Sequence, residues 1–359
     1  MYARRFQLFV NAGMLVVLAL TAPGRALADG YSVTDLGALP GNPHSGVWQQ
    51  TINENGVVVA YANADPDEIS YNGFFGDFPF VWQNGAITPL PQLPGAVDTI
   101  PFSLNNRGQA VGRSTPAGQR NHAVLWDHGV IQALPELLGD NKSAALTIND
   151  RGMAVGYSQQ SVANGNARRA SLWYKGSVSQ LTPLFAGSGF DEALGINDEG
   201  QIVGIAGTAS GEEHIALWAN DGVTDLGSLG GGFGEAIAIN NRGQICGLSV
   251  TASGQADPFL WDNGTLMDLG VLSGDVDGAA LGINNRGQVV GYSDSDPNDI
   301  TMYHAVLWEN GGMTSLQTKI PAISGWTLLQ AMGINSRGQI VGYGIHGSFY
   351  RAFLLTPVK

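Results

Sequence analysis

Carboxylates that converge in a fold can bind a cation or serve as acid and base, and this 359-residue chain carries several at related positions. Five of them lie five to seven residues before an Asn that belongs to a repeated phrase. They are Asp98, Asp191, Glu192, Glu235 and Asp277. Crowding of such groups raises the pKa of some of them. We predict that these side chains form a ligand-binding cluster, with a solvated acidic rim as the alternative.

Two further acidic segments resemble each other and indicate a possible calcium site. Residues 63–69 read Asn-Ala-Asp-Pro-Asp-Glu-Ile, and residues 294–300 read Asp-Ser-Asp-Pro-Asn-Asp-Ile. Closely spaced oxygen ligands suit Ca²⁺, although the glycine and the closing glutamate of an EF-hand loop are missing. The predicted ligands are Asp65, Asp67, Asp294, Asp296 and Asp299. Ordinary acidic turns are the alternative, and no other cofactor is predicted.

Tryptophans fall into two groups. Six of them occupy the same position in successive repeats, where we predict packing between neighbouring units. These six are Trp82, Trp126, Trp173, Trp218, Trp261 and Trp308. Trp48 and Trp326 lie outside this register, and we predict that they contact a ligand.

Familiar catalytic motifs are missing from the sequence. It contains no Gly-x-Ser-x-Gly phrase and no His-Glu-x-x-His phrase, which mark many hydrolases and metalloproteases. His122, His214 and His304 begin equivalent segments of different repeats, so we expect them to lie too far apart to share a metal. We therefore predict no catalytic residue.

The repeated phrase is an aliphatic residue, Asn, two residues and Gly, and it occurs seven times. Its asparagines are Asn53, Asn105, Asn149, Asn197, Asn240, Asn284 and Asn335. The glycines follow one another at intervals of 43 to 52 residues, a period typical of repeat architectures. Asn and Gly at these positions favour tight turns, so we predict that the asparagines form turns. A ring of ligand-binding amides is the alternative.

Each repeat contains four short segments that resemble β-strands, joined alternately by tight turns and by longer loops. This pattern predicts an all-β fold, a seven-bladed β-propeller with four-stranded antiparallel blades. Residues 31–37 resemble a fourth strand without a preceding unit, and residues 351–355 resemble a third strand without a successor. We expect the N-terminal strand to join the last blade and close the ring. An open β-solenoid and a pair of small sandwiches are the alternatives.

The N-terminus resembles an export signal. Arg4 and Arg5 precede an apolar run, and Ala26-Leu27-Ala28 provides a cleavage site. We predict a signal peptide at residues 1–28, a single repeat domain at 29–359, and a secreted or periplasmic protein. An N-terminal anchor helix is the alternative, and the choice between Sec and twin-arginine export stays open.

The net charge of −13 at pH 7 excludes partners that need clustered cations. Nucleic acid and anionic membranes are therefore not expected to bind. We also expect a monomer that does not insert into a membrane after cleavage. The single cysteine, Cys246, stands where other repeats have valine, and we predict a buried thiol.

The repeat is similar to that of the extracellular HAF-repeat family. Residues 279–291, residues 304–308 (His-Ala-Val-Leu-Trp) and residues 225–231 (Asp-Leu-Gly-Ser-Leu-Gly-Gly) match the family's pattern. The likeness extends over nearly all of residues 31–356. It implies export and a repetitive β architecture, and it implies no activity.

Loop lengths predict where a ligand binds. The tight turns are short and uniform and share one face of the predicted ring, whereas the variable loops share the other face. Function tends to lie on variable loops of a rigid scaffold, so we predict a non-enzymatic module that binds a protein or glycan on the loop face. The alternative is a lyase or hydrolase that uses the acidic cluster at the channel mouth. A purely structural or cell-surface role is a third hypothesis.

Overall fold

The computed structural model describes residues 30–64, 77–162, 165–220 and 222–358. The predicted signal peptide, Asp65 and Asp67 lie outside the described residues. The described chain is built from short strands and a few 3-10 turns, so the all-β prediction is confirmed. The 3-10 segments are Ile300–Met302, Leu316–Lys319 and Ala322–Ser324.

Consecutive strands pair antiparallel and form sheets of four. The first strand, β1 (Tyr31–Asp35), belongs to the last sheet along the chain. The first sheet contains β2 (His44–Gly46), β3 (Val58–Asn63), β4 (Phe78–Gln83) and β5 (Ala86–Pro89). The second contains β6 (Ala96–Leu104), β7 (Ala110–Pro116), β8 (His122–Asp127) and β9 (Val130–Ala133). The third contains β10 (Lys142–Ile148), β11 (Ala154–Val162), β12 (Gly165–Tyr174) and β13 (Ser177–Gln180).

The next two repeats share one sheet. Its strands are β14 (Asp191–Ile196), β15 (Ile202–Gly207), β16 (Glu213–Ala219), β17 (Gly222–Gly227), β18 (Gly230–Ile239), β19 (Ile245–Thr251), β20 (Ala256–Asp262) and β21 (Thr265–Asp268). The two halves meet at one parallel pair, Glu213 opposite Phe233. The described strands therefore form five separate four-stranded blades and one eight-stranded sheet, which corrects the prediction of seven separate blades.

Two more four-stranded sheets complete the described chain. One contains β22 (Asp277–Ile283), β23 (Val289–Asp294), β24 (Tyr303–Glu309) and β25 (Gly312–Ser315). The last contains β26 (Trp326–Ile334), β27 (Ile340–His346), β28 (Phe349–Pro357) and β1. The antiparallel pairing of β1 with β28 extends from Tyr31 opposite Pro357 to Asp35 opposite Phe353. The first and last described strands therefore lie side by side.

The hydrophobic core lies between neighbouring sheets. Trp173 of the third sheet, for example, packs with Val111 and Ala123 of the second. Its indole Nε1 donates to the backbone oxygen of Pro135, 2.7 Å away in the preceding loop. Trp126 and Trp218 make the equivalent bonds to Pro91 O and Thr182 O, also at 2.7 Å. The predicted packing of the repeated tryptophans between units is confirmed at these positions.

Two smaller observations complete the fold. Cys246 is fully buried among apolar residues of neighbouring sheets, as its valine-like position predicts. Within the described residues, no helix has the length and apolar composition needed to cross a membrane.

Candidate ligand-binding site at the loop end of the channel

The repeated asparagines form a closed cycle of hydrogen bonds. The Nδ2 of each one donates to the backbone oxygen of the motif Asn in the next repeat. The seven distances lie between 2.9 and 3.2 Å, and the last bond returns from Asn335 to Asn53. A buried amide with all of its bonds made stabilises its surroundings. The asparagines thus do more than form turns, because each one also joins its repeat to the next.

Asn240 shows how the same side chain builds the turn. Its Oδ1 accepts from the backbone N–H groups of Arg242 and Gln244, both at 3.0 Å. Its Nδ2 also donates to Gln244 Oε1, at 2.8 Å. Gly243 has a φ of +77°, a conformation that glycine adopts without steric cost. The turn end of the central channel therefore presents amides whose hydrogen bonds are already made.

The opposite end of the channel does not repeat in this way. The residue five positions before the motif Asn is not the same in every unit, although the backbone position is equivalent. The seven residues are Trp48, Ile100, Ala144, Glu192, Glu235, Ala279 and Gln330. All of them except Ile100 line two adjoining cavities at this end. Equivalent positions of the fold thus carry aromatic, apolar, acidic and amide side chains around one opening.

The larger cavity has a volume of about 400 Å³, and the adjoining one has about 210 Å³. Both are lined by Trp48, Gln49, Glu235 and Ile237, so they form two halves of one pocket. We call it the mouth pocket. Sites for small ligands are usually concave and apolar with a few polar groups, and the mouth pocket has this composition.

Arginines in the larger half are engaged by carboxylates. Arg168 forms an ion pair with Glu192, and its guanidinium lies 4.2 Å from the centre of the Tyr157 ring. Arg113 Nη2 lies 3.4 Å from Asp98 Oδ2. Burial raises the pKa of both Glu192 and Asp98, and the neighbouring arginines oppose this shift. The ion pairs therefore neutralise much of the charge on this side of the pocket.

Glu235 is the exception among these groups. Within the described residues its carboxylate has neither a hydrogen bond nor an ion pair, and it lines both halves of the pocket. Burial, with smaller contributions from Glu192 and Glu213, raises its pKa to about 7, while Arg168 lowers it. Its backbone is held closely by β19, since a Cβ on Gly247 would lie 1.9 Å from Glu235 O. Glu235 is therefore a carboxyl group on a closely packed strand, with a pKa near neutral pH.

Three of the five predicted carboxylates lie outside the mouth pocket, which corrects the predicted cluster. Side chains alternate along a strand, so Asp191 points away from the channel when Glu192 points into it. Asp191 accepts instead from Ser188 Oγ, at 3.1 Å, and burial raises its pKa. Asp98 is held by Arg113, as described above, and Asp277 accepts from the backbone N–H of Ala256 at 2.8 Å. Only Glu192 and Glu235 meet at the opening.

The two predicted contact tryptophans have different roles. Trp48 lines both halves of the pocket, and its ring meets Phe102 edge-on with centroids 5.3 Å apart. Its indole Nε1 is buried and has no hydrogen-bond partner among the described residues. The prediction that Trp326 contacts a ligand is wrong, because this side chain is buried in the last sheet. Its ring stacks on His346 with centroids 4.6 Å apart.

The described part of the calcium prediction is not supported by the side-chain contacts. Asp299 accepts from Thr301 N at 2.9 Å and caps a 3-10 turn, and Asp296 accepts from Asn298 N at 3.0 Å. Asp294 is buried, and burial together with Asp277 and Asp275 raises its pKa to about 6. Across the described ranges, no group of three acidic, His or Cys side chains is placed to hold a metal. Asp296 and Asp299 therefore accept hydrogen bonds within their own turns.

Sequence reasoning missed the aromatic lining of the mouth pocket. Tyrosines line it at a fixed position, eight residues after the motif Asn, and they are Tyr61, Tyr157, Tyr292 and Tyr343. The position belongs to the second strand of each unit, where the chain reads Gly-Tyr or Ala-Tyr. A signal was present, because strand pairing puts this position beside the one five residues before the Asn. In the fifth repeat, for example, Glu235 lies opposite Leu248.

Comparison with known proteins identifies the class of fold. No protein-family model and no curated protein matches the chain. The β-propeller domain of the Trilobed protease from Pyrococcus furiosus is similar, with a TM-score of 0.52 and 11% identity over 76% of this chain and 83% of that chain. The Pyrococcus horikoshii acylaminoacyl peptidase has a TM-score of 0.53 and 12% identity, over 88% of this chain and 52% of that chain. The structure of YCF48 bound to D1 peptide has a TM-score of 0.53 and 11% identity, over 92% and 97%.

The protein is therefore a β-propeller with four-stranded antiparallel blades, and the predicted architecture is confirmed at this level. Identities this low show the fold alone. This chain spans about half the length of the acylaminoacyl peptidase. The similar structures include peptidases as well as a peptide-bound protein, so the fold does not distinguish enzymes from binding modules.

Proposed function

We propose that this chain is an exported, non-enzymatic binding module in which seven repeats form a closed ring and the mouth pocket receives a group of a protein or glycan partner. The mature protein acts as a monomer outside the cytoplasm in this proposal. The observation that carries it is the mouth pocket itself. Six of the seven equivalent strand positions line it, and their residues include an aromatic ring, an amide and the carboxylate of Glu235, which has no partner among the described residues. Tyrosines of the neighbouring strands lie beside them.

Two contacts support the closed ring of seven. The asparagine cycle contains one member from each repeat and returns to its start. The eight-stranded sheet is joined across its middle by only one parallel pair, so it divides naturally into two antiparallel blades of four. Pairing of β1 with β28 then supplies the fourth strand of the last blade.

A disulfide tests the ring. Ser32 lies opposite Thr356 in the β1–β28 pair, and the native Cys246 is buried and unavailable for exchange. The double variant Ser32→Cys with Thr356→Cys should form an intramolecular bond in the folded monomer and raise the melting temperature under oxidising conditions. Crosslinked dimers without an intramolecular bond would contradict closure. Ser32→Cys with Thr88→Cys, which belongs to the first sheet, is the matched control.

Binding at the mouth pocket is tested by arrays of glycans and peptides probed with the purified mature protein. We expect ligands that are lost with Trp48→Ala and weakened by Glu235→Gln. Two controls match these changes elsewhere on the surface. Tyr174→Ala removes an exposed aromatic ring, and Glu199→Gln removes an exposed carboxylate beside the turn end of the channel. Equal loss in the control variants would place binding elsewhere.

An enzyme that uses the same pocket is the second candidate, and one observation favours it. Glu235 has a pKa of about 7 and shares the pocket with Glu192, so a carboxyl group that can gain or lose a proton near neutral pH lies in the same cavity as one that is paired with Arg168. Such a pair suits a lyase or hydrolase. Turnover of any glycan or ester substrate that Glu235→Gln abolishes, at an unchanged melting temperature, would establish this function. Without such turnover the binding module remains the better account.

A further inference from the structure

The smaller half of the mouth pocket is an aromatic enclosure around a carboxylate. Its rings are Trp48, Tyr61, Tyr292 and Tyr343, and Glu235 is the only charged residue among the described residues that line it. Tyr61 and Tyr343 are nearly buried, at 6% and 7% exposure. The remaining lining is largely apolar and includes Leu281 and Met332. A ligand that enters this half therefore meets aromatic side chains and one carboxylate.

The rings are held in place before any ligand arrives. Tyr61 packs directly against the backbone of Gly46, where an added Cβ would lie 2.5 Å from the tyrosine Oη. Tyr292 stacks on Tyr303 with ring centroids 4.6 Å apart and planes at 8°. Preformed walls reduce the conformational entropy that a ligand loses on binding. The enclosure is therefore a built site and not a collapsed gap between blades.

The charges around the enclosure favour a cation. Arg168 and Arg113 belong to the larger half, and both already face carboxylates, Glu192 and Asp98. Glu235 has no such partner among the described residues. The whole chain carries a net charge of −13, which attracts cations to a concave site. An aromatic enclosure with a carboxylate is the arrangement that recognises alkylammonium groups, because the ring faces are negative and the carboxylate supplies the counter-charge.

We propose that the smaller half of the mouth pocket binds an alkylammonium group, with the rings around its alkyl substituents and Glu235 as the counter-ion. This inference rests on the proposed binding function and names the chemistry of the ligand. Two sources carry such a group. One is a small quaternary amine, and the other is a lysine side chain of a protein partner.

Calorimetry with defined probes tests the proposal. Choline and tetramethylammonium represent the quaternary amine, and Nα-acetyl-lysine methylamide represents the lysine side chain. The uncharged control is 3,3-dimethylbutan-1-ol, which has the shape of choline without its charge. At pH 8 we expect at least one cationic probe to bind about tenfold more tightly than the control. Equal binding of choline and its uncharged analogue, or no binding of any cationic probe at millimolar concentration, would overturn the proposal.

Variants separate charge from shape. Glu235→Gln keeps the shape of the side chain and should weaken the cationic probe about tenfold while leaving the uncharged analogue unaffected. Tyr343→Phe should retain binding and Tyr343→Leu should lose most of it, since the ring face makes the contact. Glu199→Gln should change nothing. Unchanged affinity in Glu235→Gln, with a native melting temperature, would exclude Glu235 as counter-ion.

The pH dependence of the affinity for the cation provides a second test. Glu235 faces Glu192 from β14, Glu213 from β16 and Arg168 from β12. Protonation of Glu235 removes the counter-charge, so affinity for the cation should fall as the pH drops from 8 to 6, and Glu235→Gln should abolish this dependence. Failure of all cationic probes while array ligands still require Trp48 would reject the alkylammonium and leave the proposed function standing. Array ligands that are independent of Trp48 and Glu235 would reject both.

Discussion

The two ends of the central channel are built from equivalent strand positions, yet they differ in whether their polar side chains have hydrogen-bond partners. At the turn end, every repeat has the same asparagine, and each Asn amide bonds to the next repeat. At the loop end, equivalent positions carry Trp48, Glu192, Glu235 and Gln330, and the carboxylate of Glu235 and the indole N–H of Trp48 lack partners among the described residues. Repetition thus provides hydrogen bonds between repeats at one end, and departure from repetition leaves a pocket of mixed side chains at the other.

The largest effect that tests this comparison is expected at the turn end. Asn240→Ala removes the acceptor for two backbone N–H groups and the donor to Asn284 O and to Gln244 Oε1. Each of these four lost bonds costs about 1 kcal/mol, so urea denaturation should show a loss of about 4 kcal/mol. Asn240→Asp keeps the acceptor and loses only the donations, so its loss should be smaller. Asn42→Ala, which removes one long bond in a loop, should cost less than about 0.5 kcal/mol. If Asn240→Ala lost as little stability as Asn42→Ala, the asparagine cycle would not stabilise the fold.

At the loop end, a substitution of Glu235 should change the stability in the opposite direction. The folded-state pKa of Glu235 is raised from 4.5 to about 7, so the folded protein holds this proton more tightly than the unfolded chain. This group's contribution to stability is full below pH 4.5 and is lost as the pH rises to about 7. With a discount for partial exposure, the loss is about 2 kcal/mol. Glu235→Gln should therefore be more stable than the wild type at pH 8 and differ little from it at pH 4.5. Thermal unfolding at both pH values checks this, and greater stability of the wild type at pH 8 would contradict it.

The repeated tryptophans also differ in whether their indole N–H group has a hydrogen-bond partner. Trp126 Nε1 donates to Pro91 O at 2.7 Å, whereas Trp308 Nε1 is buried without a partner in the described chain. Trp126→Phe and Trp308→Phe remove similar volume, and only the first breaks a hydrogen bond. The first should therefore cost about 1 kcal/mol more, as measured by urea denaturation. Equal losses would mean that packing alone accounts for this position.

The smallest expected effect concerns the acidic loop between β23 and β24. Asp299→Ala removes the cap of a short, exposed 3-10 turn, so it should lower the melting temperature only slightly. Because each aspartate bonds within its own turn, the wild type should have the same melting temperature in Ca²⁺ as in EDTA. The variant should likewise show no difference between Ca²⁺ and EDTA. A rise in the wild-type melting temperature with Ca²⁺, absent from Asp296→Asn, would restore the calcium prediction.

Much of the fold could be predicted from the residues because the signals are local. The Asn and Gly of each turn, the alternating strand residues and the aligned tryptophans act within one repeat or between adjacent repeats. The sheets, the pairing of β1 with β28 and the packing of Trp173 against the preceding sheet follow from them. The joining of two repeats into an eight-stranded sheet could not be predicted, because it depends on how closely Glu213 approaches Phe233.

The candidate site was only half predictable. Counting back from the motif Asn located Glu192 and Glu235, but it also selected Asp98, Asp191 and Asp277, whose carboxylates bond elsewhere. Trp48 was found in another way, because it lies outside the register of the repeated tryptophans. Which of two adjacent residues faces the channel depends on strand phase and on register shifts, such as the one between Ala193 and Gly195. Trp326 was misplaced because an off-register tryptophan can be buried by its own sheet as well as exposed.

The sequence by itself determined the repeat, the strand order and the turn chemistry, since these depend on backbone preferences within a few residues. Only the tertiary structure decided which side chains share the mouth pocket and which charges stay unpaired. Those facts arise when positions some forty or more residues apart are brought to one opening, as Trp48, Tyr292 and Glu235 are. Burial then sets the pKa of Glu235, and burial is a property of the assembled fold and not of any single repeat.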